Sequence, residues 1–151
     1  MENLWRINEE DYGEDFKTPN EIIKEQIRYL EGKTKEYISG ELVEIQLKDR
    51  FEESEETSDF RYNFYINAKF LKNYKLKLFS MTYDTLIYPL RLNFNEDLCE
   101  EFKIDYSDEM ECKNEEEFII QLGDVLKSDY VANTLGILMK LSKNKEMDFL
   151  F

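Results

Sequence analysis

Residues 60–94 alternate between apolar and polar side chains. Phe60, Tyr62, Phe64, Ile66 and Ala68 fall on one parity and Arg61, Asn63, Asn67 and Lys69 on the other, broken only by Tyr65. Side chains of a strand point to opposite faces in turn, so this period of two predicts a half-buried strand. Tyr74, Leu76 and Leu78 alternate with Lys75 and Lys77 in a second run, and Leu86, Tyr88, Leu90, Leu92 and Phe94 supply the apolar parity of a third. Residues 36–47 alternate as well, with Val43, Ile45 and Leu47 together, and give a strand that leads into the others. The pattern is that of an antiparallel meander of about four strands with one face on a core. Its turns are expected at residues 71–73, where asparagine tolerates left-handed angles, and at 83–85, where Asp84 can cap its own turn. Pro89 cannot donate to a ladder, which places the last strand at an edge or a bulge.

Helical spacing flanks these strands. Thr18 followed by Pro19 and Glu21 forms a capping box with proline at the first helical position, and Ile22, Ile23, Ile27 and Leu30 make the apolar stripe of a helix that Gly32 is expected to stop. Asn114 to Glu117 repeats the cap-plus-glutamate signal ahead of Phe118, Ile119, Leu122, Val125 and Leu126. Val131, Leu135, Leu138, Met139 and Ser142 continue the helical spacing beyond Ser128 and Asp129, either as a third helix or as the second half of a kinked one. Between sheet and helices, Ile104 and Tyr106 can add a short strand. The expected fold is therefore α+β: an N-terminal helix, a meander of about four strands and two C-terminal helices packed on one face. Residues 1–17 form an arm whose Trp5 is expected to pack on the domain, and residues 18–151 a single α+β domain.

Composition agrees with a folded chain. At 151 residues with 42% apolar and 15% aromatic side chains, there is enough apolar surface to offset chain entropy. No window is long and apolar enough to span a bilayer, and the opening residues lack the basic region and apolar run of an export signal, so the expected location is the cytoplasm. Cys99 and Cys112 are accordingly expected to be free thiols. The preference for Lys, Glu, Asn and Ile points to an AT-rich bacterial or phage source.

The formal charge of −14 is unevenly spread. Residues 1–57 carry net −9, residues 58–94 net +4 and residues 95–151 net −9, so a mildly basic sheet lies between two acidic segments. Such a surface repels phosphate backbones and makes nucleic-acid binding unfavourable, while a basic protein partner is attracted.

The chain has no histidine, which removes the commonest general base, the usual nucleophile triads and the most frequent zinc ligand. Cys99 and Cys112 form no CxxC pair, and Glu100, Glu101 and Glu111 nearby would raise a thiol pKa rather than activate it. Asp105, Asp108, Glu109 and Glu111 lack the spacing and central glycine of a calcium loop, and the five glycines are too scattered to cradle a phosphate. No catalytic residue, metal or cofactor is expected, and the chain is read as a non-enzyme.

Two interaction surfaces remain. One is the outward parity of the sheet, where Arg61, Tyr65, Lys69, Lys75 and Lys77, with Lys72, mix cations with an aromatic ring in the manner of a single-stranded nucleic-acid platform. Charges on the wet face of any antiparallel sheet are the more ordinary account. The other is the acidic flank, including Glu52, Glu53, Glu55 and Glu56 in the stretch before Phe60, which is expected to be a mobile loop. The favoured function is an acidic, non-catalytic interaction protein that neutralises or regulates a protein partner, as an immunity protein, antitoxin or phage inhibitor does. The alternative is a ligand- or nucleic-acid-binding accessory module using the Lys/Tyr face. The apolar tail at residues 147–151 is a further candidate contact, for a homodimer.

Overall fold

The computed structural model describes residues 1–46 and 59–150, the last two by their backbone alone. A single-turn 3-10 helix at Glu9–Asp11 precedes helix α1 (Pro19–Lys33). Strands β1 (Ile38–Glu44), β2 (Phe60–Ala68), β3 (Leu71–Tyr83) and β4 (Leu90–Phe94) follow, then α2 (Glu96–Phe102), β5 (Met110–Cys112), α3 (Glu115–Leu126) and α4 (Asp129–Leu150). The strands pair in sequence order, every pair antiparallel, so among the described residues the meander has five strands rather than four. The extra strand is Met110–Cys112; Ile104 and Tyr106 lie outside it. Three residues are too few to display a period, and α2, with seven, is nearly as short.

The register divides the sheet into two faces. Ile38, Gly40 and Leu42 of β1 stand opposite Ala68, Ile66 and Phe64, which themselves face Leu71, Leu76 and Phe79 of β3. Phe79 and Met81 then meet Phe94 and Leu92 of β4, and Leu90 meets Cys112 of β5. The inward parity of β3 changes within the strand. Tyr65 pairs with Lys77 but Phe64 with Phe79, leaving Leu78 as an extra residue, and Leu78 and Phe79 are both fully buried. A bulge of this kind adds one residue to one strand and reverses its alternation. It lets β3 run to Tyr83 with Met81 and Tyr83 still facing the core.

The helices cover the apolar face. Ile22, Ile23 and Ile27 of α1, Phe118, Leu122 and Val125 of α3, and Val131 and Leu138 of α4 join one buried cluster with Phe64, Ile66, Phe79 and Leu92. Removing a fully buried side chain of this size from water contributes about 1.5–3 kcal/mol. Gly40 lets α1 lie close: a Cβ there would stand 2.8 Å from Ile27 Cγ1 and 3.2 Å from Phe64 Cε2.

Several local expectations are corrected. The β2–β3 turn falls at Lys69 and Phe70, not at residues 71–73. Val43 faces away from the core, opposite Asn63, and the inward residues of β1 are Ile38, Gly40 and Leu42; Leu47 lies outside the described residues. Pro89 precedes β4 through a cis Tyr88–Pro89 bond, and β4 is an interior strand. Because Pro89 stands ahead of the ladder, its missing donor imposes no edge. Gly32 lies inside α1, and the reversal after it is made by Lys35 and Glu36 in left-handed conformation. The helix signals themselves hold. Thr18 accepts from Glu21 N while the Glu21 carboxylate accepts from Thr18 N, and Asn114 accepts from Glu117 N. Asp84 Oδ1 likewise accepts from Leu86 N. α3 and α4 are separate helices, because Ser128 Oγ donates to Val125 O at 2.7 Å and accepts from Val131 N at 3.2 Å, ending one ladder and starting the next.

Candidate functional site

The outer face of the sheet is built from the polar parity. Arg61, Tyr65, Lys75 and Lys77 share it, with Glu41, Asn63, Asn67, Ser80 and Arg91 among them. The cations here are mostly answered locally. Lys75 Nζ lies 3.3 Å from Glu41 Oε2 and 4.4 Å from the centre of the Tyr65 ring. Asn67 Nδ2 donates to the same Glu41 oxygen at 3.4 Å, Asn63 Nδ2 donates to Tyr65 Oη at 3.1 Å, and Ser80 Oγ donates to Asn63 Oδ1 at 2.7 Å. Arg61 is 3.7 Å from Asp59, and Arg91 Nε is 3.3 Å from Glu109. Lys77 has no ion pair among the described residues. A base stacking on Tyr65 would have to displace Lys75, so the face is a poor stacking platform as it stands. Lys69 stands apart in the β2–β3 turn, 5.6 Å from the centre of the Phe70 ring. Glu52, Glu53, Glu55 and Glu56, and the mobile loop expected around them, lie outside the described residues.

A second surface gathers at the other end of the sheet. Residues 96–117, which cover α2, β5 and the first turn of α3, hold eleven carboxylates and two lysines. Several of the carboxylates have structural partners. Glu101 accepts from the backbone N–H groups of Asp129 and Tyr130, Glu117 from Lys113 N, and Glu109 pairs with Arg91. Asp105 accepts from Ser107 N and Oγ, and these bonds hold its carboxyl below the usual range. Glu96, Asp97, Glu100, Asp108, Glu111, Glu115 and Glu116 are exposed. One helical turn beyond Glu115 and Glu116, Ile119 and Ile120 are 48% and 55% exposed. Of the apolar residues at helical spacing in α3, the buried stripe is Phe118, Leu122 and Val125, and Ile119 lies outside it.

The two thiols behind this surface are free and buried. Burial raises both pKa values, Cys112 to about 11 with help from Glu117 and Glu111, and Cys99 with help from Asp105 and Asp108. Neutral thiols are weak nucleophiles. Among the described residues, no three His, Cys, Asp or Glu side chains group in a way that could hold a metal ion.

A third feature lies between α1 and α4. Phe64 and Ile66 floor a cleft of about 430 Å³, with Ile27 and Leu30 on one wall and Val131 and Leu135 on the other. The charged residues lining it are two lysines, Lys33 and Lys127. On the same molecule, Leu4, Trp5 and Ile7 stand in water, 83%, 85% and 68% exposed, so Trp5 does not pack on the domain as expected. Beyond these residues the chain turns on itself, Asp11 N–H donating to Asn8 O, Tyr12 N–H to Glu9 O and Phe16 N–H to Gly13 O, with Asn8 N–H donating to Asp11 Oδ2.

No family model, curated protein or solved structure matches this chain. Among the described residues no helix is long and apolar enough to cross a membrane.

Proposed function

We propose that the chain is a small, acidic, non-catalytic cytoplasmic protein of bacterial or phage origin that binds a basic protein partner and neutralises or regulates it, in the manner of an immunity protein, antitoxin or phage inhibitor. The observation that carries this reading is the α3 surface, where Glu115 and Glu116 stand one turn from the exposed Ile119 and Ile120 within a segment of eleven carboxylates. Carboxylates at this density steer a cationic partner and raise its association rate, and exposed isoleucines supply the apolar contact that slows its release. The acidic first turn of α3 is compatible with its own helix dipole, so the charge is displayed at little internal cost.

The test is retrieval of the tagged chain from its native cell, washed at rising salt, beside a Glu115→Lys/Glu116→Lys variant. One stoichiometric basic protein, released as salt rises and missing from the variant, is the expected result. Nucleic acid in the eluate, or a partner indifferent to both changes, would overturn the reading. The alternative, a ligand- or nucleic-acid-binding module on the Lys/Tyr face, draws on Lys77, which has no counter-charge among the described residues. Lys75→Glu/Lys77→Glu would abolish binding under that reading and leave the basic partner bound under the first.

A further inference from the structure

We infer that the apolar cleft between α1 and α4 receives the N-terminal arm of a second copy of this chain, so that two copies exchange arms reciprocally. The arm and the cleft each lack a partner that the other offers. Leu4, Trp5 and Ile7 are 83%, 85% and 68% exposed, and the cleft between Leu30 and Leu135 is floored by Phe64 and Ile66. Its volume of about 430 Å³ lies in the range in which proteins bury an organic ligand, roughly 300–1,000 Å³.

Charge selects the occupant. In a chain with 34 acidic and 20 basic side chains, the charged residues lining this cleft are lysines, Lys33 and Lys127. The arm is acidic on both sides of its apolar residues, with Glu2 before them and Glu9, Glu10 and Asp11 after, against the one cation Arg6. An arm of this chain therefore complements the cleft, whereas a basic partner would meet like charge. A second copy is favoured over the chain's own arm by the fold of the arm's root. Backbone bonds from Asp11 N–H to Asn8 O, Tyr12 N–H to Glu9 O and Phe16 N–H to Gly13 O draw the linker into short turns, and residues 1–7 lie exposed beyond them. Docking on another copy leaves these turns as they are. Exchange also doubles the contact. A tryptophan buries about 150–250 Å², and two arms with two tryptophans, two leucines and two isoleucines reach the order of 1,000 Å² at which specific interfaces begin. The arrangement is isologous, each copy giving what it receives, and so closes at two.

Trp5 is the only tryptophan, so its emission reports its own environment. The experiment follows sedimentation and tryptophan emission of the full chain across protein concentration, for the wild type, Trp5→Ser and Lys33→Glu/Lys127→Glu. Trp5, Lys33 and Lys127 are all exposed, so these variants keep the fold, which circular dichroism checks. The expected result is a dimer whose formation shifts Trp5 emission to the blue. Trp5→Ser, followed by sedimentation, raises the dissociation constant at least about tenfold, the scale of losing a tryptophan anchor. The double lysine variant weakens the dimer in a salt-dependent way. A monomer with blue-shifted emission at every concentration would mean that the chain's own arm fills the cleft. A monomer with water-like emission would mean that the arm serves another protein, and a dimer indifferent to Trp5→Ser would mean that another surface pairs. Each of these three outcomes overturns the proposal.

Discussion

The Glu101 carboxylate in α2 accepts the backbone N–H of Tyr130 at 2.7 Å, and that of Asp129 at 3.1 Å, so one helix caps another. The first turn of a helix has N–H groups without internal partners, and a carboxylate satisfies them with a charge-assisted bond while meeting the positive end of the dipole. Glu101→Ala is expected to lower stability by about 1–2 kcal/mol, and Glu101→Gln by less. Urea unfolding at constant slope checks this. An unchanged midpoint for both would mean that water caps α4 equally well.

The approach of α1 to the sheet depends on Gly40. Its missing side chain leaves room for Ile27 Cγ1, only 2.8 Å from where a Cβ would stand, and Phe64 at 3.2 Å gives little room on the other side. Gly40→Ala therefore overpacks a buried contact and is expected to cost about 1–3 kcal/mol. Gly40→Ala/Ile27→Val, which shortens the opposing side chain, should recover part of the loss. A melting temperature equal to wild type in the single variant would show that α1 shifts freely.

Alkali should weaken the fold before it reaches ordinary tyrosines. Burial moves the Cys112 thiol from 9.0 to about 11 and the Tyr88 hydroxyl to about 12. Between the unfolded and folded values the unfolded chain has released protons that the folded chain retains, so rising pH favours unfolding. The stabilising contribution is complete below pH 9.0 and is lost progressively toward about 11 for Cys112. Thermal melts at stepped alkaline pH should fall through that window, with a shallower fall in Cys112→Ala. Near pH 8 both native thiols should react with disulfide reagents far more slowly than in the unfolded chain.

The exposed isoleucines of α3 separate folding from function. Ile119 and Ile120 are about half exposed, so Ile119→Ser/Ile120→Ser should change stability only slightly, each substitution within about 0.5 kcal/mol. The same variant should lose the proposed basic partner through faster dissociation, measured as the rate of release from immobilised protein. A large loss of stability would instead assign these side chains to the fold.

Period and capping determine those parts of this molecule that depend on neighbours in sequence. The capping boxes at Thr18, the cap at Asn114, the Asp84 turn and the alternation of Phe60 through Ala68 and of Leu90 through Phe94 are local signals, and each corresponds to an observed cap, turn or strand face. Four of the six residues expected on the Lys/Tyr face, Arg61, Tyr65, Lys75 and Lys77, share one face for the same reason, while Lys69 falls in the turn and Lys72 at the start of β3, beside a register shift. Tertiary pairing decided the rest. β5 exists only because Met110 and Cys112 find Leu92 and Leu90 of β4, and three residues cannot announce a strand by period. The bulge at Leu78 moves the inward parity of β3 to Phe79, Met81 and Tyr83, where the apolar positions switch as well, and the pairing with β2 fixes it. Glu101 can cap α4 only once α2 and α4 meet, 29 residues apart in the chain at Tyr130. Trp5 lies in water, 85% exposed, although composition alone would bury it. The sequence by itself therefore determined the α+β class and which residues alternate, since those follow from local backbone geometry; the count of strands, the neutralised sheet face, the cleft and the free arm follow from contacts between distant segments.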